Sequence, residues 1–289
     1  MNWTMFVQTL WYGVADGASY MLVASGLLIT FGILRIFNMG YGEIFMLGAM
    51  LTFTLIRFAS FPLLAAAALA VVAVALFGIL VNRVIVQPVI HVHEMLPLLS
   101  TLALSLILLN GGSAIWTYNA FSLGFPFSWM IRLGGVTFSA ITITVVVVGL
   151  GTVIGLWLWL SKARFGKAMR ATVQNITGAR LVGIDTKRVY DVTMVIACGL
   201  AALGGVLSAL FRSAEISMGQ GVLVIGFAVV IAAGMGNLLG AVLIALIFGV
   251  TENLVAVYGA PLYSRAVLYA IMLIILVLRP QGLFTGKGG

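Results

Sequence analysis

Apolar residues run along this chain in long continuous blocks, separated by short polar breaks. The blocks fall at about 6–34, 43–58, 62–82, 96–116, 138–160, 190–212, 222–236, 238–257 and 265–278. Most approach the roughly 20 apolar residues that carry a helix across a bilayer. Within Ile141–Leu160 the apolar positions are consecutive rather than alternating, which argues against barrel strands. Lipid offers backbone groups no hydrogen-bond partners, so such blocks must be helical. The pattern predicts an all-α, polytopic integral membrane helical bundle of roughly eight to ten transmembrane segments. Two blocks are irregular. The first, 6–34, is long for one crossing and holds Gly13, Asp16, Gly17, Gly26 and Gly32. It is either one tilted helix or two shorter elements, and the choice decides on which side the chain begins. The block 222–236 is short, and is either a span or a re-entrant segment.

Composition agrees. Of 289 residues 63% are hydrophobic and 8% charged, against about 25% charged in soluble domains, and mean hydropathy is +1.21. The beginning of the chain lacks the basic region of a cleaved signal peptide. The single cysteine, Cys198, sits in an apolar block, so no intrachain disulfide forms and a packing role is expected.

Charge supplies orientation. There are 15 Lys and Arg against 7 Asp and Glu, and seven of the basic residues lie in 161–188, whose sole acid is Asp185. In a soluble chain such an excess would raise nucleic-acid binding; here it is the positive-inside signal, and nucleic acid is not expected. Counting crossings outward from that segment puts Arg35, Arg83, Arg279 and Lys287 inside and Arg57, Arg132, Arg212 and Arg265 outside. The C-terminus is then inside and, if 6–34 crosses once, the N-terminus outside. Residues 117–137 form an external connection crowded with Tyr118, Phe121, Phe125, Phe127 and Trp129. They read either as an interfacial aromatic belt or as a docking surface.

Two stretches echo each other. Ala24-Ser-Gly26-Leu27 and Ala197-Cys-Gly199-Leu200 are each followed, at equal spacing, by a glycine and a leucine, then by Met-Gly-x-Gly. Those turns, Met39-Gly40-Tyr41-Gly42 and Met218-Gly219-Gln220-Gly221, each precede a short apolar block. By the crossing count the copies run in opposite directions. Inverted repeats with glycine-broken segments at matching places point to a transporter's pathway; chance recurrence of small residues is the alternative. The candidate halves are about 6–116 and 190–278. Candidate pathway residues are therefore Asn38, Met39, Gly40, Tyr41, Gly42 and Glu43 with Met218, Gly219, Gln220 and Gly221.

Catalytic motifs are missing. Gly166-Lys167 and Gly286-Lys287 lack the upstream glycine and the following hydroxyl of a nucleotide-binding loop, so this chain is not expected to hydrolyse ATP. It is read as no enzyme, with no cofactor of its own. His91-x-His93-Glu94 holds both histidines of the chain, too few for a zinc cage, and reads as a solvated loop. Asp16, Glu43, Glu215 and Glu252 lie in or beside spans, where a carboxylate is either functional or a helix-interface hydrogen-bond partner. Glu43 would also complement the N-terminal dipole of the helix it begins. In the basic segment Met169, Val173, Ile176, Ala179 and Val182 recur at helical spacing, with Arg170, Gln174 and Arg180 facing elsewhere and Gly183 ending the run. Such a helix either lies on the membrane or docks on another protein.

At these residues the sequence resembles the permease subunits of branched-chain amino-acid ABC importers. The likeness runs through Gly17–Leu27, Gly32–Asn38, Gly42-Glu43, Thr101–Ser105, Phe165–Ala171, Ala179–Ile184 and Arg279–Phe284. It implies a single permease domain over 1–289 in the bacterial inner (cytoplasmic) membrane. It also implies a second related permease as heterodimer partner, two cytoplasmic ATPase subunits that bind ATP and magnesium, and a periplasmic solute-binding protein. The ATPase-coupling elbow would be Ala179-x3-Gly183, within a set of Gly166, Met169, Arg170, Val173, Ile176, Ala179 and Gly183. The expected cargo is a branched-chain or other hydrophobic amino acid. The family's usual Ala-His-Gly-Glu is Gly40-Tyr41-Gly42-Glu43 here, which keeps urea, short amides and aromatic acids open. A stand-alone ion-coupled carrier or channel is the rival from another class.

Overall fold

The computed structural model describes residues 3–90, 92–93, 95–116, 119–125, 129–133, 136–234, 236–279 and 281–284. In order the elements are α1 (Trp3–Leu34), α2 (Tyr41–Ala59), α3 (Leu63–Leu80) with a π-helical turn Val81–Val86, and α4 (Leu96–Trp116). A hairpin follows, β1 (Met130–Leu133) and β2 (Val136–Ser139), then α5 (Ala140–Lys162), α6 (Arg164–Gln174) and α7 (Ile176–Leu181). The rest is α8 (Thr186–Phe211), α9 (Met218–Ala233), α10 (Leu238–Tyr258), a 3-10 turn Pro261–Tyr263 and α11 (Ser264–Leu278). Among the described residues eight helical segments are long and apolar enough to cross a membrane, by length and composition. The fold is an all-α polytopic bundle. The hairpin, the single sheet among the described residues, lies in the long connection and continues into the start of the block expected at 138–160.

The first block is one unbroken helix of 32 residues, about 48 Å long at the usual rise. Its glycines do not break it because they serve close packing. A Cβ on Gly13 would strike the backbone of Val250, and one on Gly17 the backbone of Leu246. So α1 descends as α10 ascends, with small residues letting the backbones approach. The same holds for α3 and α8: Gly78 lies against Met194 and Cys198, and Gly199 against Ala75. The packing is reciprocal, α1 on α10 and α8 on α3. Cys198 is fully buried in that seam. In contrast α4, α5 and α11 present rows of exposed Leu, Ile, Val and Trp, the surface expected where lipid or a second membrane subunit is the neighbour.

With α1 unbroken, five helices long and apolar enough to cross precede the basic segment, as the count that begins the chain on the opposite side requires. The basic segment itself differs from the single helix expected across 169–183. It is two short helices broken at Asn175, whose extended backbone (φ −155°, ψ 103°) and side chain cap α7 by accepting from Gly178 N at 2.8 Å. Met169 and Ala179 are buried against the bundle, while Leu181 and Val182 stand 83% and 77% exposed. The apolar stripe is thus largely used inside the chain, and what projects is the knuckle ahead of Gly183 (φ +84°).

Candidate translocation site

The two Met-Gly-x-Gly turns meet inside the bundle. The chain leaves α1 at Leu34, runs without helix through Arg35–Asn38, and starts α2 at Tyr41. On the other side it leaves α8 at Phe211, runs through 212–217, and starts α9 at Met218. Gly42 and Gly219 abut there: a Cβ on either would drive into the carbonyl of the other. From that contact α2 runs outward and α9 inward, so two helix N-termini, with their partial positive charge, share one interior spot. The block expected at 222–236 is therefore served by α9, Met218–Ala233, a helix of 16 residues, about 24 Å long, reached from outside by non-helical chain.

Side chains pin the α2 turn. Asn38 is buried and its Oδ1 accepts from Gly40 N at 3.0 Å. Thr101 Oγ1 on α4 accepts from Met39 N at 3.2 Å. Ser105, one turn further along α4, lies beside the Glu43 carboxylate. The sequence stretch Thr101–Ser105 thus serves the 38–43 turn. Glu43 is 2% exposed, and its Oε2, like Asn38 Nδ2, meets no partner among the described residues. Burial without a full set of partners is costly, and both groups sit at the first turn of α2. Tyr41 is fully buried; its hydroxyl donates to the Ala197 carbonyl and fills the space left by the missing side chain of Gly26. It ties α2 to α1 and α8 rather than facing an opening. Of the second turn, Gly219 is buried, Met218 and Gly221 half-buried and Gln220 exposed.

Two polar clamps lock the bundle near its ends. At the outer end Asp16 accepts from Arg212 Nε at 3.0 Å and, through Oδ2, from Arg212 Nη2 and Asn253 Nδ2, each at 2.7 Å. Beside it Tyr20 donates to Glu252 Oε2 at 2.6 Å. At the inner end Asp191 accepts from Asn82 Nδ2 at 2.7 Å and from Arg83 Nε and Nη2 at 3.0 and 2.7 Å. The π-helical turn widens α3 so that neighbouring Asn82 and Arg83 reach the same carboxylate. Asp16 and Glu252 stood out in the sequence as carboxylates in spans; Asn82, Arg83, Asp191 and Asn253 did not. A signal was available: Gly78-x3-Asn82 and Gly249-x3-Asn253 place a close-packing glycine one turn ahead of the clamping asparagine on both α3 and α10.

Of the other flagged groups, Glu215 is half-buried and its backbone carbonyl accepts from Met218 N at 3.3 Å. His91 and Glu94 lie outside the described residues, as do Tyr118 and Phe127. Phe121 stacks on Phe53 at 4.2 Å and its backbone pairs with Ala214, whereas Trp129 is about half exposed. A cavity of about 740 Å³ opens between the end of α1, the 35–37 stretch, the start of α4 and the α6–α7 break. In the basic segment Gly166 is buried against Leu160, Val173 and Ile176 are half-buried, and Arg170 is exposed, its Nη1 donating to the Leu160 carbonyl at 2.8 Å.

Known proteins are similar to this chain. The family described as "Branched-chain amino acid transport system / permease component" matches residues 9–276. The high-affinity branched-chain amino acid transport system permease protein BraD of Pseudomonas aeruginosa is 30% identical over 296 residues, with 96% of this chain and 95% of that protein covered. The corresponding permease protein LivH of Salmonella typhimurium is 28% identical, with 96% and 95% covered. A probable branched-chain amino acid transport permease protein LivH of Methanocaldococcus jannaschii is 28% identical, with 91% and 87% covered. Among solved structures, PsaBC from Streptococcus pneumoniae in complex with Fab aligns with a TM-score of 0.51 at 14% identity, over 95% of this chain and 92% of that one. At that identity the likeness concerns the fold.

Proposed function

Since the chain belongs to the permease-component family of branched-chain amino acid transport systems, we propose that it is the membrane-spanning subunit of an ABC importer for branched-chain or other hydrophobic amino acids. The observation that carries the reading is the match along nearly the whole chain to permeases whose names specify that cargo. In this reading the chain lies in a bacterial inner membrane beside a second related permease. Two cytoplasmic ATPase subunits supply ATP hydrolysis, and a solute-binding protein delivers the amino acid from outside.

The geometry suits that role. The reciprocal packing of α1 on α10 and α8 on α3 supports two inverted halves, and the Gly42–Gly219 contact lies where they meet. Asn38–Glu43 and Met218–Gly221 would flank the path, where the partial positive charge of two helix N-termini favours a carboxylate. ATPase motion would reach them through α6 and α7, whose Leu181-Val182 knuckle projects beside Arg180 and Lys187. Gly166, Met169 and Ala179 would transmit it from within, because they pack that segment onto the bundle. ATP must bind the two states differently for this to bias transport.

The test is to purify the tagged chain under mild conditions, identify what accompanies it by mass spectrometry, and measure uptake of radiolabelled leucine into proteoliposomes. Two ATPases and a second permease should co-purify, and uptake should require ATP inside a site-competent complex. Uptake by the chain alone, driven by an ion gradient, would overturn the assignment in favour of a carrier.

A further inference from the structure

The outer end of the bundle holds two acid–base pairs of different kinds. Asp16 and Arg212 are saturated: both oxygens of Asp16 are taken, and Asn253 adds a third donor. Glu252 and Arg265 are not. Glu252 Oε2 is held by Tyr20, but Oε1 faces Arg265 Nε across 3.7 Å, beyond hydrogen-bond distance. Both groups line one cavity of about 360 Å³, together with Ser264, with Arg212 and Asn253, both engaged by Asp16, and with an apolar wall of Ala256, Pro261 and Leu262. That volume lies within the roughly 300–1,000 Å³ of small-molecule sites. A carboxylate rooted in α10 therefore faces a guanidinium rooted in α11, neither satisfied by the other.

We propose that this cavity is an outer reception site for a free aliphatic α-amino acid, with Arg265 taking the α-carboxylate, Glu252 the α-ammonium, and Ala256, Pro261 and Leu262 the side chain. The chemistry selects a zwitterion. Inserting one between the two groups replaces an ion pair too long to hydrogen-bond with two charge-assisted hydrogen bonds, and leaves the net charge of the cluster unchanged. An anion alone would leave Glu252 facing like charge, and a cation alone would do the same to Arg265. The site is also joined to the interior turn. The Arg265 guanidinium lies against Gly221, where a Cβ would come within 2.7 Å of its Nη1. Arg265 thus lies over the first turn of α9, and loading the cavity would be felt at the Gly219–Gly42 contact. This inference rests on the amino-acid cargo proposed above.

The experiment is equilibrium binding to the full chain with whatever subunits accompany it, without the solute-binding protein, followed by uptake with that protein restored. Probes are L-leucine, L-leucinamide, which lacks the carboxylate, and 4-methylpentanoate, which lacks the ammonium. Wild type should bind leucine about tenfold or more tightly than either analogue, the effect of one lost charge-assisted hydrogen bond. Arg265→Gln should lose the preference over leucinamide, and Arg265→Lys should recover part of it. Glu252→Gln should lose the preference over 4-methylpentanoate. Should Glu252→Gln fail to fold, the Arg265 variants decide alone, since that side chain is 51% exposed and free of tight pairing. Leucine uptake by wild type with unchanged affinity and selectivity in Arg265→Gln would overturn the site while leaving the transport assignment standing. Failure of wild type to transport leucine in its full complex would remove both.

Discussion

Asp16 and Asp191 are held by the same kinds of partner at opposite ends of the bundle, yet they differ in depth. Each accepts from one arginine and one asparagine, and the asparagine follows a close-packing glycine by one turn. The outer carboxylate is 5% exposed and its arginine 44%; the inner one is 11% exposed and its arginine 64%. The outer clamp also joins three elements, α1, the end of α8 and α10, where the inner joins two, α3 and α8. The difference separates a deep lock from a shallow one. A deep pair left without one partner strands a charge away from water, whereas a shallow arginine can turn to solvent when its partner leaves. The inner clamp lies near the start of α8, directly after α6 and α7, so the shallower lock sits beside the segment we propose couples to the ATPases.

The largest expected effect tests the outer clamp. Asp16→Ala leaves Arg212 without its own carboxylate and Asn253 without its carboxylate acceptor, at a cost of about 3 kcal/mol. Thermal unfolding in detergent should show a clear drop in Tm. Asp16→Ala combined with Arg212→Leu should recover much of it, because the stranded charge is gone. If the single variant melts like wild type, the clamp is not structural.

Next comes the contact between the halves. Gly42→Ala and Gly219→Ala each force a methyl into the opposing carbonyl, with an expected cost of about 1–3 kcal/mol. Gly40→Ala meets Leu104, the Thr101 carbonyl and Asn38 Oδ1 at 3.2, 3.3 and 3.4 Å, and should be milder. Melting curves for the three variants, with uptake measured on each, rank the contacts. Equal tolerance at all three would mean that the turns need not touch.

The repeated turns were readable from residues alone because a glycine pair at fixed spacing is a local pattern. Their meeting point was not, since nothing in Gly42 or Gly219 names the other. The first block illustrates the same limit. Five features that suggested a broken helix, four glycines and Asp16, are in the structure mostly a packing face and a clamp toward α10 and α8, partners more than 190 residues away in the case of Asp16. Periodicity placed apolar residues of 169–183 on one helix but could not show that Asn175, a good capping residue, would prefer to begin a new one. Which face of the stripe is used inside the chain depends on the neighbours, and Met169 and Ala179 found theirs within the bundle. The β-hairpin escaped notice because two strands of four residues are shorter than any hydropathy pattern resolves.

The inner clamp should respond less than the outer. Asp191→Ala frees an arginine that already reaches water, so its loss of Tm should be smaller than that of Asp16→Ala under the same conditions. Asp191→Asn, which keeps one acceptor for Asn82, should be smaller still. The functional outcome separates a lock from a brace. If the inner clamp restrains movement, Asp191→Ala should raise ATP hydrolysis by the assembled complex in the absence of solute. Unchanged basal hydrolysis, with Tm alone reduced, would make it a brace.

The smallest effect on stability belongs to the projecting knuckle. Val182 is 77% exposed, and exchange of an exposed side chain away from special features costs within about 0.5 kcal/mol. Val182→Asp should therefore melt with wild type, insert normally and keep the interior turns intact, while placing a charge on the surface we assign to the ATPase. The expected result is loss of leucine uptake, with the ATPase subunits released on purification. Gly183 is a less clean target, because its φ of +84° strains any other residue, so a failure there mixes backbone strain with lost docking. A Val182→Asp complex that retains its ATPases and transports at the wild-type rate would move the coupling surface elsewhere on the basic segment. The clamps would then need a different route to the motion they are placed to resist.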